Sequence, residues 1–178
     1  MRISSALYQA GGNFARGTKF SVLLATPSRI STIYSKYYDV LCKSTGVPTI
    51  THTPIEVKIK GQNIKIPGRT QQDQTIQLTF YLDENTDLRS MMQNWIYQID
   101  NYNPVNTNSG EGSITTNDGL YGEITLKIKD FNENFDVKTY VFHDVYPVNI
   151  ENVNYGAEDK DTVLEQPVTF AFSWYETY

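Results

Sequence analysis

The sequence predicts a mainly β domain with one helix (α+β), and three observations point to it. Stretches of alternating apolar and polar residues recur with the period of two that marks a half-buried strand. One segment between them carries apolar residues at helical spacing instead. The polar partners in the strands are Thr, Gln, Ser and Lys, with no His, Cys or clustered carboxylate, a surface built to be wet and not to do chemistry.

Residues 1–17 hold Gly11, Gly12 and Gly17 and few apolar anchors, so they read as an N-terminal arm weakly tied to its own core. The first strand is expected over 19–25, ended by Thr26-Pro27-Ser28, and the second over 37–43, the two pairing as a hairpin across a long polar loop. Residues 47–68 read as a projecting hairpin loop. Within it a strand over 55–60 meets the turn Gly61-Gln62-Asn63 and returns through Ile64-Lys65-Ile66. Lys58, Lys60 and Lys65 on its faces discourage accidental strand pairing.

A strand over 75–82 places Ile76, Leu78, Phe80 and Leu82 on one side. The helix follows at about 86–100, with Leu88, Met91, Met92, Trp95, Ile96 and Ile99 on one face and Asn85 or Thr86 as N-cap. Pro104 ends it. Residues 101–122 are polar and longer than the roughly 12–15 residues at which structureless loops become uncommon, so they form a functional or mobile loop. Strands over 123–130, 135–145 and 167–175 complete the chain. The expected core includes Leu88, Met92, Trp95, Ile99, Phe170, Phe172 and Trp174.

At 178 residues the chain is long enough for one well-filled core and reads as a single domain over 1–178. Its formal net charge of -5 argues against a protein that holds nucleic acid by neutralising phosphates. A single cysteine, Cys42, permits no internal disulfide and suits a reducing compartment, or a particle assembled in the cytoplasm. Beside Val40 and Leu41 it reads as a buried thiol, with a nucleophile paired to His52 or His143 as the alternative. The N-terminus lacks the apolar stretch of a signal peptide, and no window approaches the run of roughly 18 apolar residues that a membrane span needs.

No motif carries chemistry. Glu158-Asp159-Lys160-Asp161, with Glu165 beyond, lacks the ligand spacing of an EF-hand. Residues 108–113 bear glycines but not the Gly-Lys-Ser/Thr ending of a phosphate loop, and His52 and His143 have no cysteine partners to hold zinc. Catalytic residues, cofactors and metals are therefore all expected to be none.

Five blocks, in order, resemble the major tail tube protein of contractile-tailed bacteriophages. They are Gly12-Asn13-Phe14-Ala15-Arg16 leading to Phe20-Ser21-Val22; Cys42 to Pro48; Ile64 to Thr70 running on through Thr79 to an Asn/Asp-rich turn and the Trp95 helix; Val145 to Ile150; and Val168 to Glu176. The resemblance implies two packed antiparallel sheets, β-barrel-like, with a flanking helix. It implies hexameric rings stacked into a hollow tube in the virion tail, assembled in the host cytoplasm. The implied partners are the chain itself, a tail sheath, baseplate or tube-initiator and terminator proteins, a tape-measure protein in the lumen, and DNA only in transit. Contacts between subunits or rings are expected at Phe14, Arg16, Val47, Pro48, Ile50, His52, Pro54, Lys58 and Arg69. A tube-fold baseplate protein, a secretion-system or bacteriocin tube, and a carbohydrate-binding β-sandwich are the alternatives.

Overall fold

The computed structural model describes residues 17–28, 30, 41–101, 119–130, 132–156 and 163–178. Most of the N-terminal arm, most of the 101–122 loop and the acidic string at 158–161 lie outside the described residues. The strands are β1 (Phe20–Ala25), β2 (Cys42–Thr45), β3 (Ile50–Ile59), β4 (Gln62–Gln72), β5 (Thr75–Tyr81), β6 (Gly122–Lys129), β7 (Asp136–Ile150), β8 (Glu165–Ala171) and β9 (Trp174–Thr177), with helix α1 (Asp87–Asn101) between β5 and β6.

Two antiparallel sheets share one strand. The path runs β1-β6-β7-β8-β5-β2, with β9 also paired to β7. The first part of β7 pairs with β6 and β9, and its last residues, from Tyr146 to Ile150, pair with β8. The change of partner falls beside Asp144, whose φ of 54° re-aims the strand. The core lies between the sheets, built from alternate residues such as Val22 and Leu24, Ile124 and Leu126, Leu78 and Phe80, and Val168 and Phe170.

The strand alternations of the sequence are therefore realised, but two of the expected connections are not. The first two strands do not form a hairpin: β1 pairs with β6, and β2 with β5. Nor is there a closed barrel, because no ladder joins β1 to β2 among the described residues. β2 has only four residues and runs into Gly46 and Pro48, too short an edge to close the ring.

Helix α1 buries Leu88, Met91, Met92 and Trp95, while Ile99 packs against the core from its margin. Thr86 stands at the N-cap position, its carbonyl accepting from the Ser90 N–H at 3.0 Å, while the side chain that satisfies the first turn is that of Asp83, accepting from the backbone N–H of Asp87 at 3.2 Å and Leu88 at 3.4 Å. Arg89 reaches across from the helix to the carbonyl of Glu151 at 3.0 Å and to Oε1 of Gln166. Gln166, a fully buried polar residue, donates in turn to the carbonyls of Glu151 at 2.8 Å and Pro167 at 3.0 Å. This network docks the helix to the crossing from β7 to β8.

Trp174, expected in the core, is 48% exposed. The alternation of Val168, Phe170 and Phe172 stops at Ser173, where the ladder changes partner. Phe172 donates to the carbonyl of Gln74 and Ser173 to that of His143, both at 3.1 Å. β9 then starts a new pairing with β7 in which Tyr175 packs against the core and Trp174 stacks on His143, ring centroids 4.0 Å apart.

Candidate assembly surface

β3 and β4 form a two-stranded sheet of their own. The turn at its tip is Lys60-Gly61, with φ of 50° and 82°, the two left-handed positions that a tight type I′ hairpin requires. Its root is tied by the Asp73 amide, which donates to the Thr49 carbonyl at 3.0 Å. Along almost the whole length of both strands the residues are exposed, so the ribbon stands away from the core.

The pairing gives the outer part of this ribbon two unlike faces. Ile55 opposes Ile66 and Val57 opposes Ile64, so these side chains share one face with Ile59. Ile55 and Ile59 are 57% and 51% exposed, and Ile64 and Ile66 nearly as much. On the other face Glu56 opposes Lys65, with Nζ 3.4 Å from the carboxylate, and Lys58 opposes Asn63. Residues 50–72 carry four cations and one carboxylate, a net +3, which leaves -8 on the rest of a chain whose overall charge is -5. A basic, one-sided apolar ribbon thus projects from an acidic body.

Nearer the root the register shifts between Thr53 and Ile55. Thr53 opposes Arg69 and Ile55 opposes Ile66, so Pro54 alone on β3 faces Pro67 and Gly68 on β4, a β-bulge. Neither proline has an N–H to donate. The Gly68 N–H donates to Nε2 of His52 at 3.1 Å, and the other ring nitrogen, Nδ1, lies 3.0 Å from Oγ1 of Thr70. The strands are pressed together here, for a Cβ on Gly68 would meet the Thr53 carbonyl oxygen at 2.2 Å.

Of the expected contact residues, Ile50, His52, Pro54, Lys58 and Arg69 all lie exposed on this ribbon. Val47 is exposed in the connection leading to it, whereas Pro48 is buried. Phe14 and Arg16 lie outside the described residues. The isoleucines of the apolar face were overlooked as a surface, although their alternation with Glu56, Lys58 and Lys65 was the available signal: a period of two reads equally as an inward face.

A groove of about 320 Å³ beside the root is lined by Ser44, Val47, Asp73, Thr75 and Gln77. Lys43 pairs with Glu165 across β2 and β8, and that hydrogen bond holds the lysine above its ordinary pKa. On the outward face of β5 and β8, which borders the groove, Thr75, Gln77 and Thr79 stand opposite Ala171, Thr169 and Pro167; Gln77 Nε2 donates to the Glu151 carboxylate at 2.8 Å, and the next pair along is Tyr81 and Glu165. The corresponding face of the other sheet is mixed, with Leu23 beside Thr125 and Val141, and Ser21 beside Lys127 and Thr139. At its upper end His143 Nδ1 lies 3.3 Å from the Glu123 carboxylate. Among the described residues no three His, Cys, Asp or Glu side chains are grouped to hold a metal, and no helix is long and apolar enough to cross a membrane.

The fold has counterparts among solved structures. A chain of the anti-feeding prophage baseplate superposes with a TM-score of 0.63 at 9% identity, covering 93% of this chain and 96% of that one. A chain of the sheath/tube terminator of an extracellular contractile injection system, PVC, gives 0.59 at 17% identity over 93% and 97%. A chain of the PVC sheath-tube complex in its extended state gives 0.58 at 16% identity over 100% and 99%. No curated protein matches the chain. The model of the phage tail tube protein family matches residues 15–178, nearly the entire sequence, and the chain belongs to that family.

Proposed function

We propose that this chain is the structural subunit of a tail tube, joining copies of itself into hexameric rings that stack as a hollow conduit for DNA. The observation that carries this reading is the β3–β4 ribbon, whose apolar face no part of the described chain covers. A bare row of isoleucines beside unpaired ladder edges invites another chain. The charge division supplies a partner, since a +3 ribbon is attracted to the -8 body of a second copy. A contact between a projection and a different patch is heterologous, and such contacts propagate into rings or filaments.

The face of β5 and β8, rich in hydroxyls and amides and bordered by Glu151 and the Lys43–Glu165 pair, suits the wall of the bore. Hydroxyls and amides such as Thr75, Gln77, Thr79 and Thr169 offer phosphates water-like contacts without the cations that retain nucleic acid. The mixed face with Leu23, Val141 and Trp174 is then turned outward, toward a contractile sheath. Baseplate or initiator and terminator proteins would close the ends, and a tape-measure protein would occupy the lumen during assembly. Val47, Ile50, His52, Pro54, Lys58 and Arg69 are the contact residues of this reading, with Phe14, Arg16 and Pro48 at its margins.

Electron microscopy of the purified, concentrated protein at low and high salt tests it. Hollow filaments of uniform width with six-fold end views are the expected result. Isolated particles at every concentration and salt, even with preformed baseplates as seeds, would overturn it.

A further inference from the structure

We infer that the apolar face of the β3–β4 ribbon docks into a groove at the seam between β1 and β2 of a second copy of this chain. The inference rests on the reading of the ribbon as the assembly element and names the surface that receives it.

The seam is where the two sheets fail to meet. β1 and β2 end the strand path, and no ladder joins them among the described residues. A groove of about 240 Å³ lies there, walled by Phe20, Val47, Leu126 and Ile128. Leu126 is buried and Val47 is exposed, so the apolar lining runs from the core out to the surface. Lys19 is the one charged side chain on the lining, and it is engaged in an ion pair with Glu133. An aliphatic cavity of roughly 150 Å³ is enough to take a benzene ring, so this groove takes one or two branched side chains.

Two glycines keep it open. A Cβ on Gly17 or Gly46 would meet no atom within 4 Å, and neither residue has a positive φ. The backbone does not require glycine at either position, and a side chain added there enters the groove without straining the monomer.

The segment Thr45-Gly46-Val47 also borders the groove beside the ribbon root, and the two grooves differ in what they accept. At the root, Asp73, Thr75 and Gln77 would lose water to an aliphatic side chain and gain no hydrogen bond in return. The seam groove carries no such penalty. The matching surface is on the ribbon, where Ile64 faces Val57 in the middle of a row completed by Ile55, Ile59 and Ile66. Both strands are exposed along almost their whole length, so the ribbon does not cover its own seam. The +3 ribbon is drawn to the -8 body of another copy, and docking with the isoleucines inward leaves Glu56, Lys58 and Lys65 in water on the reverse face.

Two measurements on the full chain test the pairing. In the first, chains carrying Gly46→Cys are mixed with chains carrying Ile64→Cys under assembly conditions and oxidised, and the disulfide-linked peptides are identified by mass spectrometry. Trypsin cuts after Lys43, which separates the buried Cys42 from position 46. A link joining position 46 of one chain to position 64 of another is expected, whereas Tyr97→Cys, exposed on the helix, should link to neither. Links only between two Ile64→Cys ribbons would overturn the inference. So would an internal link in a chain carrying Phe14→Cys and Gly46→Cys that forms in place of the ribbon link.

In the second, Gly46→Leu fills the groove. Its melting temperature should equal the wild type's, and its filament yield should fall about tenfold or more, the factor that goes with burying one aliphatic side chain. Gly17→Leu repeats the test from a second lining position if the first variant does not fold. Filaments at wild-type yield from the filled groove, with no 46–64 link, would sink the groove and leave the tube reading intact. Linked pairs without filaments would do the reverse.

Discussion

The indole Nε1 of Trp95 donates to the backbone carbonyl of Leu120 at 2.7 Å, with both residues buried. This one bond fixes α1 to the segment entering β6, while the ring itself packs at a tilt on Phe170 with centroids 6.3 Å apart. Trp95→Ala should lower unfolding stability by about 3–5 kcal/mol through the cavity it leaves. Trp95→Phe keeps most of the apolar contact but strands the Leu120 carbonyl, at a cost of about 1–3 kcal/mol. Chemical denaturation of both variants tests the order.

Gly122 lies under the same ring. A Cβ there would meet the Ala25 carbonyl oxygen at 2.5 Å and Cη2 of Trp95 at 2.8 Å, and neither the β1 backbone nor the enclosed indole has room to move. Gly122→Ala should therefore destabilise by about 1–3 kcal/mol through overpacking. A thermal melt equal to the wild type's would show that β1 or the helix yields more readily than its burial indicates.

The apolar face of the ribbon separates folding from assembly. Replacing Ile55 and Ile66 together by Ser alters exposed, facing positions, so monomer stability should change by no more than about 1 kcal/mol. Filament yield in a sedimentation assay should collapse. If the double variant sediments like the wild type, the isoleucines are not the docking face.

Lys19 and Glu133 pair at the end of the β1–β6 ladder, and the hydrogen bond from the lysine holds the Glu133 carboxyl below its ordinary pKa. A lowered folded-state value means that the contribution is present above the unfolded carboxylate's pKa. It is lost as pH falls through the lower, folded value. The difference in melting temperature between wild type and Glu133→Gln should accordingly be small at pH 7 and vanish toward pH 3. High salt should shrink it as well, because both groups are exposed.

Gln166 tests the buried network. Gln166→Leu has a similar volume but removes one of the two acceptors of Arg89, one of the two donors to the Glu151 carbonyl, which keeps its bond from Arg89, and the donor to the Pro167 carbonyl. A loss of about 1–3 kcal/mol is expected. Combining it with Arg89→Met removes the remaining side-chain donor to the Glu151 carbonyl, so the double variant should be less stable than Gln166→Leu alone, and a double-mutant cycle measures the coupling of the two.

Local patterns in the sequence carried the strands and the helix face. Ile76, Leu78 and Phe80, or Ile124 and Leu126, alternate because one side of each strand is buried, and that information sits within a few residues. Pairing is different. Nothing near Phe20 states that its partner is Ile128 and not a residue of the next strand, because that choice is made by the whole core. Trp174 was misread for a related reason: Ser173 gives no local sign that the chain leaves one sheet for the other. The ribbon's apolar face was hidden by the rule that made the strands legible, for Ile55 and Val57 alternate like core residues and only the absence of a covering layer distinguishes them. The prolines of the bulge, Pro54 and Pro67, stand in plain view in the sequence, but the hydrogen bond from Gly68 to His52 crosses the hairpin and emerges only with the register.

The shared strand β7 has a mechanical consequence. A continuous covalent chain runs from the β6–β9 ladder to the β8 ladder through Asp144, so the two sheets are sewn together instead of merely pressed face to face. Tension along β7 loads two ladders in shear, with many hydrogen bonds resisting at once, whereas peeling apart a simple sandwich would break contacts one row at a time. A subunit built this way yields to a pull along β7 only as a whole, not one sheet at a time.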